Sequence, residues 1–273
     1  MNLKAQCTGA LNWSNSSSGS YGTSLSGPTT VYISGTFAVN QDFSFNDCEL
    51  RMDQNAIIAI AGNTKLKLNN CHIYSCDQVN MWSGIQLHSN SNLSTKPVEL
   101  EITSGTVIED AEIAIDVTHD NGVVIQNSFL NKNWTALNFD GVYGPNSTLE
   151  IYGTTISSYS NWTDSLTRGN FLLNPHSGHA AGFGILTYEL PNISIGDPDK
   201  NGNLFDNVSQ PVWTQFANLI IRNNKFYYCG STTIGNYIVL VDNQVFSSLH
   251  LFDNFTLTVG GTHDGDKNIF YTG

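Results

Sequence analysis

Residues 196–207, GDPDKNGNLFDN, could bind a hard cation. Asp197, Asp199 and Asn201 place side-chain oxygens at alternate positions, and a glycine that permits a turn follows them. This alternation resembles the start of a Ca²⁺-binding loop, in which Asp206 would replace the closing glutamate of an EF-hand. The segment therefore predicts either a structural calcium site formed by these four residues or an ordinary polar corner without a metal.

Asp116 and Asp140 are the two carboxylates whose spacing could support acid–base hydrolysis. If they lie diagonally on adjacent coils of a solenoid, the strand spacing and the rise along a strand separate them by roughly 8 Å. Inverting glycosidases hold their two carboxyl groups about 6.5–9.5 Å apart, with one protonated and the other activating water. One hypothesis is therefore a polysaccharide hydrolase, although nothing in the sequence indicates what would keep one of the two carboxyl groups protonated.

The same part of the chain carries a strip of polar and aromatic side chains. If the apolar residues of the third strand in each coil point inward, strand alternation turns the residues between them outward. These outward residues offer hydrogen-bonding groups along most of the strip and aromatic faces at one end, which suits a polysaccharide. The predicted glycan-contacting residues are Gln86, His88, Asp116, Asn138, Asp140, Tyr188 and Trp213. The alternative is an ordinary solvated β-face that binds no ligand.

The longest insertion, residues 158–182, is another place where chemistry could be located, because loops on a rigid scaffold commonly carry function. Its chemically capable residues are Trp162, Arg168, His176 and His179. The two histidines could bind a metal, and Arg168 could swing towards the strip. Alternatively, the insertion covers the apolar wall of the solenoid.

These residues are positioned by a repeat that runs through most of the chain. Segments such as DFSFNDCELRM (42–52), KLKLNNCHIYS (65–75) and GVVIQNSFLNK (122–132) share an apolar β pair, a small polar corner and a second apolar β position. The basic period of 23 to 26 residues is typical of a three-sided parallel β-helix. The first strand of each coil is marked by Phe45, Leu68, Ile102, Ile125, Ile151, Ile195, Ile221 and Leu251.

Two further strands complete each predicted coil. The second is marked by Leu50, Ile73, Val107, Leu130, Ile156, Leu204 and Phe226, and the third by Ile85, Ile115, Leu137, Ile185, Val212 and Ile238. Residues 1–41 fit the repeat poorly and are predicted to form an N-terminal cap or an irregular first coil. Residues 42–273 then form the β-helix, interrupted by the insertion 158–182. The predicted fold class is all-β: a right-handed, three-sided parallel β-helix of about eight coils.

The composition limits the partners that such a solenoid could have. The 11 basic and 23 acidic side chains give a formal net charge of −12, which disfavours nucleic acid and anionic membrane surfaces. No apolar run approaches the roughly 20 residues that a membrane-spanning helix needs, so we expect no membrane insertion. A surface rich in Asn, Ser, Thr and Gly and poor in Lys indicates an extracellular or cell-surface location.

The five cysteines include one pair that shares a register. Cys48 and Cys71 fall at the same position of neighbouring coils, which is close enough for a disulfide. A ladder of small buried residues is the simpler interpretation. The odd number of cysteines leaves at least one thiol unpaired within the chain, and without a CxxC pair no zinc or thioredoxin-like site is expected.

The run CELRMDQNAIIAIAGNTKLKLNNCHIYSC, followed by MWSGIQL, resembles the parallel β-helix repeats of large secreted and cell-surface proteins of Bacteroidota, within the pectin-lyase-like superfamily. The likeness covers roughly residues 42–256. It implies a fold but no activity, because that superfamily includes lyases, hydrolases, tail spikes and adhesins. Its catalytic constellations cannot be matched here residue by residue.

These observations favour a non-catalytic extracellular module of a surface adhesin or structural protein, which could contact glycans. No cofactor is required, and calcium would be structural. One alternative is a carbohydrate-active enzyme, either a hydrolase or a lyase. The other is a purely architectural fibre or spacer segment that meets other protein chains end to end.

Overall fold

The computed structural model describes residues 7–88, 98–118, 121–140, 147–164, 167–188, 192–197, 199–215, 219–229, 239–242, 257–259 and 267–271. Within these ranges the chain is mostly β-strand, and the strands pair in parallel. The one helical element in the same ranges is a 3-10 turn at Ser18–Ser20. The predicted all-β solenoid is thereby confirmed.

The strands stack into three parallel sheets, one for each side of the coil. The first sheet contains β5 (Lys65–Asn69), β8 (Val98–Thr103), β11 (Asn121–Gln126), β14 (Thr148–Tyr152), β17 (Asn192–Ile195), β20 (Leu219–Ile221) and β23 (Leu257–Val259). The second contains β6 (His72–Ser75), β9 (Val107–Glu109), β12 (Phe129–Asn131), β15 (Thr155–Ser157), β18 (Asn203–Asp206), β21 (Asn224–Tyr227) and β24 (Ile269–Tyr271). The third contains β4 (Ile57–Ile60), β7 (Gly84–His88), β10 (Ile113–Thr118), β13 (Thr135–Asp140), β16 (Ala181–Tyr188), β19 (Val208–Gln215) and β22 (Val239–Asp242).

Three strands near the N-terminus bend across more than one sheet. β1 (Leu11–Ser17) pairs with β2 (Ser24–Val39), which in turn pairs with β3 (Phe43–Met52) and with β4. Residues 24–39 therefore make a complete coil on all three sides. This coil is irregular, because its register against β3 shifts between Ser26 and Thr29. This irregular coil lies within residues 1–41, for which the sequence predicted a cap or an irregular first coil.

Inward-pointing side chains fill the solenoid. Residues such as Leu50, Ile73, Ile125 and Ile185 are fully buried, and burial of each such side chain contributes about 1.5–3 kcal/mol. Because side chains alternate along a strand, their neighbours face solvent or the insertion. Each coil buries its apolar face only against the next coil, so stability depends on contacts between neighbours.

An aromatic cluster covers the core in the N-terminal coils. Trp13 of β1 is buried and stacks on Tyr21 at 4.1 Å and on Phe37 at 4.8 Å between ring centroids. Phe43 and Phe45 pack against the same indole. A solenoid core has to be covered at its first layer, and these rings cover it.

The corner between the first and second sheets uses left-handed backbone geometry. Asp47, Asn70, Asn127 and Asn223 all have a positive φ, which Asn and Asp tolerate better than other residues with a side chain. The Asn70 amide donates to the Asp47 carboxylate at 2.7 Å. Corner side chains therefore stack between these two coils.

Two predicted strand markers, Val107 and Leu204, are displaced by one residue from the register that the structure shows. Ile108 and Phe205, not Val107 and Leu204, continue the second-sheet row that contains Leu130 and Ile156. At the first of these places the corner holds one additional residue, with Ser104 and Gly105 both at positive φ. In the last coil, Val239 pairs with Val212 and Val259 pairs with Ile221, whereas the predicted markers Ile238 and Leu251 lie outside the described residues.

The cysteines divide into one disulfide and three free thiols within the described ranges. Cys7 and Cys76 are joined, which links the beginning of the described chain to the end of β6. Cys48 and Cys71 are free and buried, as the interpretation of a buried ladder predicted. No helix in the described ranges is long and apolar enough to cross a membrane.

Candidate functional site

The outer face of the third sheet holds the predicted glycan-contacting residues in two adjacent columns, which we call the third-sheet strip. In the first column, Gln86 pairs with Asp116, and Asp116 pairs with Asn138. This column continues through Leu186 to Trp213. All five residues are half-buried. Parallel pairing spaces them at steps of about 4.8 Å along the solenoid axis.

The second column lies two positions further along each strand. Thr118 pairs with Asp140, which pairs with Tyr188, and Tyr188 pairs with Gln215. His88 pairs with Thr118 through its backbone, but its side chain lies outside the described part of the structure. Polar groups and aromatic rings therefore share one continuous face of the solenoid, as the sequence pattern predicted.

Two polar atoms of the strip are buried and have no hydrogen-bond partner among the described residues. They are the Asp140 carboxylate oxygen Oδ1 and the Trp213 indole nitrogen Nε1. Nearby, the Asn138 amide donates to the Asp116 carboxylate at 2.8 Å, and Trp213 packs against Phe183 at 6.1 Å. Since most buried polar atoms in proteins are hydrogen-bonded, these two atoms call for an explanation.

The strip places Asp116 and Asp140 diagonally on neighbouring strands, because Asp116 pairs with Asn138 and Asp140 lies two residues further on. Strand geometry puts their Cα atoms roughly 8 Å apart. An inverting hydrolase needs one protonated carboxyl group and one that activates water. Here the Asn138 amide donates a hydrogen bond to the Asp116 carboxylate. A ligand at these two paired residues would therefore meet a carboxylate that already has an amide partner.

The predicted calcium ligands do not come together as a set of four. Asp197 accepts a hydrogen bond from the Asp199 backbone at 2.9 Å and forms an ion pair with Lys200 at 3.2 Å. Asn201 donates to Asn127 at 3.3 Å. Within the described residues, no group of three or more His, Cys, Asp or Glu side chains is arranged to hold a metal ion. Calcium binding by the segment stays a prediction.

Asp206, the predicted closing calcium ligand, is occupied by other partners. It lies on β18 and is buried. Arg168 donates to both of its carboxylate oxygens, and the Tyr159 hydroxyl donates to Oδ2 at 2.7 Å. A carboxylate held by a guanidinium and a phenol at once forms a charge-assisted anchor. Arg168 therefore attaches the insertion to the second sheet.

The other capable residues of the insertion also pack against the solenoid wall. His176 stacks on Trp134 with 4.0 Å between ring centroids, and His179 meets the same indole edge-on. Leu172 is buried. Covering the wall was one of the two roles predicted for this segment, and these contacts agree with it. Metal binding by the two histidines stays a prediction.

A charged cluster on the second sheet was missed by the sequence reasoning. Glu109 is buried, with His72 Nε2 at 2.9 Å from one carboxylate oxygen and the Asn131 amide donating to the other at 2.6 Å. Lys132 lies 3.1 Å from the carboxylate of Asp110, which is also buried. The adjacent acids at the end of β9 were the available signal, because strand alternation points Glu109 outward.

The two neighbouring acids of this cluster have opposite pKa shifts. Burial opposes ionisation of Glu109, but the hydrogen bonds from His72 and Asn131 and the charge of Lys132 hold its pKa below the usual value. Burial dominates at Asp110 and raises its pKa to about 6, against the attraction of Lys132. Burial likewise works against the charge of Lys132, yet the two carboxylates raise its pKa. The negative charge of Glu109 therefore stabilises the folded protein, whereas the negative charge of Asp110 destabilises it.

Comparisons with known proteins leave the family of this chain open. No family model, no curated protein sequence and no solved structure matches it. The resemblance to the pectin-lyase-like superfamily and to proteins of Bacteroidota therefore stays a prediction, and the function has to be argued from the site.

Proposed function

We propose that this chain is a non-catalytic extracellular module of a surface adhesin or structural protein, which contacts polysaccharide through the third-sheet strip. The observation that carries the proposal is the alignment of half-buried polar and aromatic side chains in one column of this face, from Gln86 and Asp116 through Asn138 to Trp213. Their carboxylate, amide and indole groups include both hydrogen-bond acceptors and donors. Sugar hydroxyls can pair with both kinds of group.

The dimensions of the strip favour an extended ligand. Asp140 and Trp213 lie two strands apart and in different columns, which corresponds to roughly 12 Å between their Cα atoms. A chain of several sugars would bridge that distance, and a single sugar would not. Tyr188 lies between them and adds an aromatic face with a polar tip.

The extracellular location is supported by the cysteines and by the surface. The Cys7–Cys76 disulfide is a feature of proteins that fold in oxidising compartments. The chain is poor in lysine and arginine, with 11 in total, and carries a net charge of −12. Such a surface suits neutral glycans better than polyanions.

The proposal is tested by a binding screen against polysaccharides, with and without Ca²⁺, in which the same samples are assayed for new reducing ends and unsaturated products. We expect binding without turnover. Asp140→Asn and Trp213→Leu should each weaken binding at least fivefold, because the first replaces a charged acceptor by a neutral amide and the second removes the indole donor and its ring. Glu150→Gln, which alters an exposed carboxylate on the first sheet, is the matched control and should bind normally.

The alternative functions give different results in the same screen. Turnover that is lost in Asp116→Asn and in Asp140→Asn would replace the proposal by a carbohydrate-active enzyme. A requirement for Ca²⁺ would support the structural calcium site. No binding and no turnover across the panel would favour an architectural segment that meets other chains.

A further inference from the structure

A groove of about 400 Å³ lies at the corner between the first and second sheets, away from the third-sheet strip. Its floor comes from four successive coils, which corresponds to a length of about 14 Å. The side chains that matter for its chemistry are Thr30, Asp47, Glu49, Asn70, His72 and Trp162. The groove therefore combines a polar floor with one aromatic wall.

Trp162 forms that wall and is held in place by the solenoid. Its ring lies 5.3 Å from Phe129 and 6.2 Å from His72, measured between centroids. It belongs to the short segment between Tyr159 and Arg168, which form an antiparallel bridge. Because Arg168 is anchored to the second sheet, the indole is positioned before any ligand arrives.

Glu49 provides a fixed carboxylate at the edge of the groove. The Tyr74 hydroxyl donates to it at 2.5 Å, the Thr30 hydroxyl at 2.8 Å and the Arg51 guanidinium at 3.2 Å. Burial alone would raise the pKa of Glu49, but these donors hold it below its usual value. Arg51, which does not line the groove, balances this charge.

Asp47 provides a negative charge that is not balanced. It is exposed at the corner, and the one donor to it among the described residues is the neutral amide of Asn70, at 2.7 Å. No lysine or arginine is among the described residues that line the groove. An anionic ligand would therefore be repelled, and a cationic ligand would meet an uncompensated carboxylate.

We infer that this groove binds an organic ammonium group, such as the amine of an amino sugar or of a lysine side chain. The ammonium would donate to Asp47, and the carbon atoms beside it would lie on the indole face of Trp162. Charge-assisted hydrogen bonds and cation–π contacts favour this combination over a neutral ligand of the same shape. The inference uses a separate face and does not depend on the proposed polysaccharide function.

Calorimetric titration of the whole protein with matched pairs of small molecules tests the inference. Glucosamine is compared with glucose, and Nα-acetyl-lysine methylamide with its norleucine analogue. The amines should bind at least tenfold more tightly than their neutral partners, and high salt should weaken them. If only the sugar amine or only the lysine derivative binds, the inference stands and the source of the ammonium is identified. Equal binding of neutral and cationic members, or binding of neither amine, would overturn it.

Variants locate the binding within the groove. Asp47→Asn should weaken ammonium binding about tenfold through loss of a charged acceptor. Trp162→Leu keeps apolar surface but removes the π face, and it should weaken ammonium binding about two- to fivefold. Glu150→Gln should bind normally. Unchanged affinity in Asp47→Asn would contradict the inference even if the amines bind, and polysaccharide binding by the strip should be the same in all three variants.

Discussion

Asp110→Asn should stabilise this protein at neutral pH, although it removes one partner of a buried ion pair. Asp110 is 5% exposed, and Lys132 lies 3.1 Å from its carboxylate. Burial nevertheless raises its pKa to about 6, which means that the folded protein binds this proton more tightly than the unfolded chain does and that the ionised form costs stability at neutral pH. Asparagine has a similar shape and cannot ionise, so it removes the cost of burying that charge. Lys132 keeps the carboxylate of Glu109, at 3.7 Å.

The magnitude follows from the shift. A rise from 3.8 to about 6, at about 1.36 kcal/mol for each pKa unit, corresponds to roughly 3 kcal/mol. Because the folded pKa of Asp110 lies above its unfolded value, the folded state binds the proton more tightly. The free-energy cost of burying ionised Asp110 is therefore small below about pH 4. It grows as the pH rises and reaches its full size above about pH 6. Lys132 loses one of its partners in Asp110→Asn, which offsets part of this stabilisation. We therefore expect the free energy of unfolding to rise by about 1–3 kcal/mol at pH 7.

Glu109→Gln is the contrasting variant at the adjacent position. The folded pKa of Glu109 is below its usual value, so ionised Glu109 contributes stability that is present at neutral pH and lost as the pH falls through the folded pKa. We expect Glu109→Gln to be destabilised at pH 7, with a difference that fades in acid. Urea unfolding of both variants and the wild type at pH 4 and pH 7 measures this. A destabilised Asp110→Asn at pH 7, or a gain of equal size at pH 4, would refute the reasoning.

Three further predictions concern the frame that holds the sites. Arg168→Met should cost about 3–5 kcal/mol in urea unfolding, because it leaves Asp206 buried without its guanidinium; adding Asp206→Asn should recover part of the loss, and no recovery would contradict the ion-pair account. Gly84→Ala should cost at least about 3 kcal/mol, since a Cβ there would lie 1.7 Å from a backbone oxygen at a positive φ, whereas Gly62→Ala, in open space, should be nearly neutral by thermal unfolding. Ile125→Asp places a charge in the fully buried core and should abolish folding; a soluble variant with native circular dichroism would show that the register is wrong.

The sequence predicted the fold and the third-sheet strip well because both depend on alternation. Buried side chains recur at alternate positions, so Ile85, Ile115 and Leu137 could be aligned without knowledge of the loops between them. Their outward neighbours then followed from strand geometry. This is why the strip residues Asp116 and Asn138 pair as the pattern required.

The features that the sequence did not predict depend on geometry that a periodic pattern does not contain. The additional corner residue at Ser104–Gly105 displaced the predicted second-sheet row by one position, because both residues adopt positive φ without interrupting the apolar pattern. The partner of Cys76 is Cys7, and no repeat relates these two residues.

The contacts of the insertion 158–182 could not be predicted from the sequence either. A loop's contacts depend on where it folds back, and Arg168 turned to Asp206 on the second sheet instead of the strip. The groove at Asp47 and Trp162 therefore could not be predicted, since its wall and its floor come from distant parts of the sequence.

The most direct test of the central claim is to follow the indole N–H signals of the five tryptophans by NMR during titration with a polysaccharide that binds in the screen. The Trp213 signal is identified by its absence in Trp213→Leu. We predict that the Trp213 signal moves and saturates with the ligand, while the signal of Trp162 stays in place. Saturating binding without any change at Trp213 would contradict the proposal that the third-sheet strip is the polysaccharide-contacting surface.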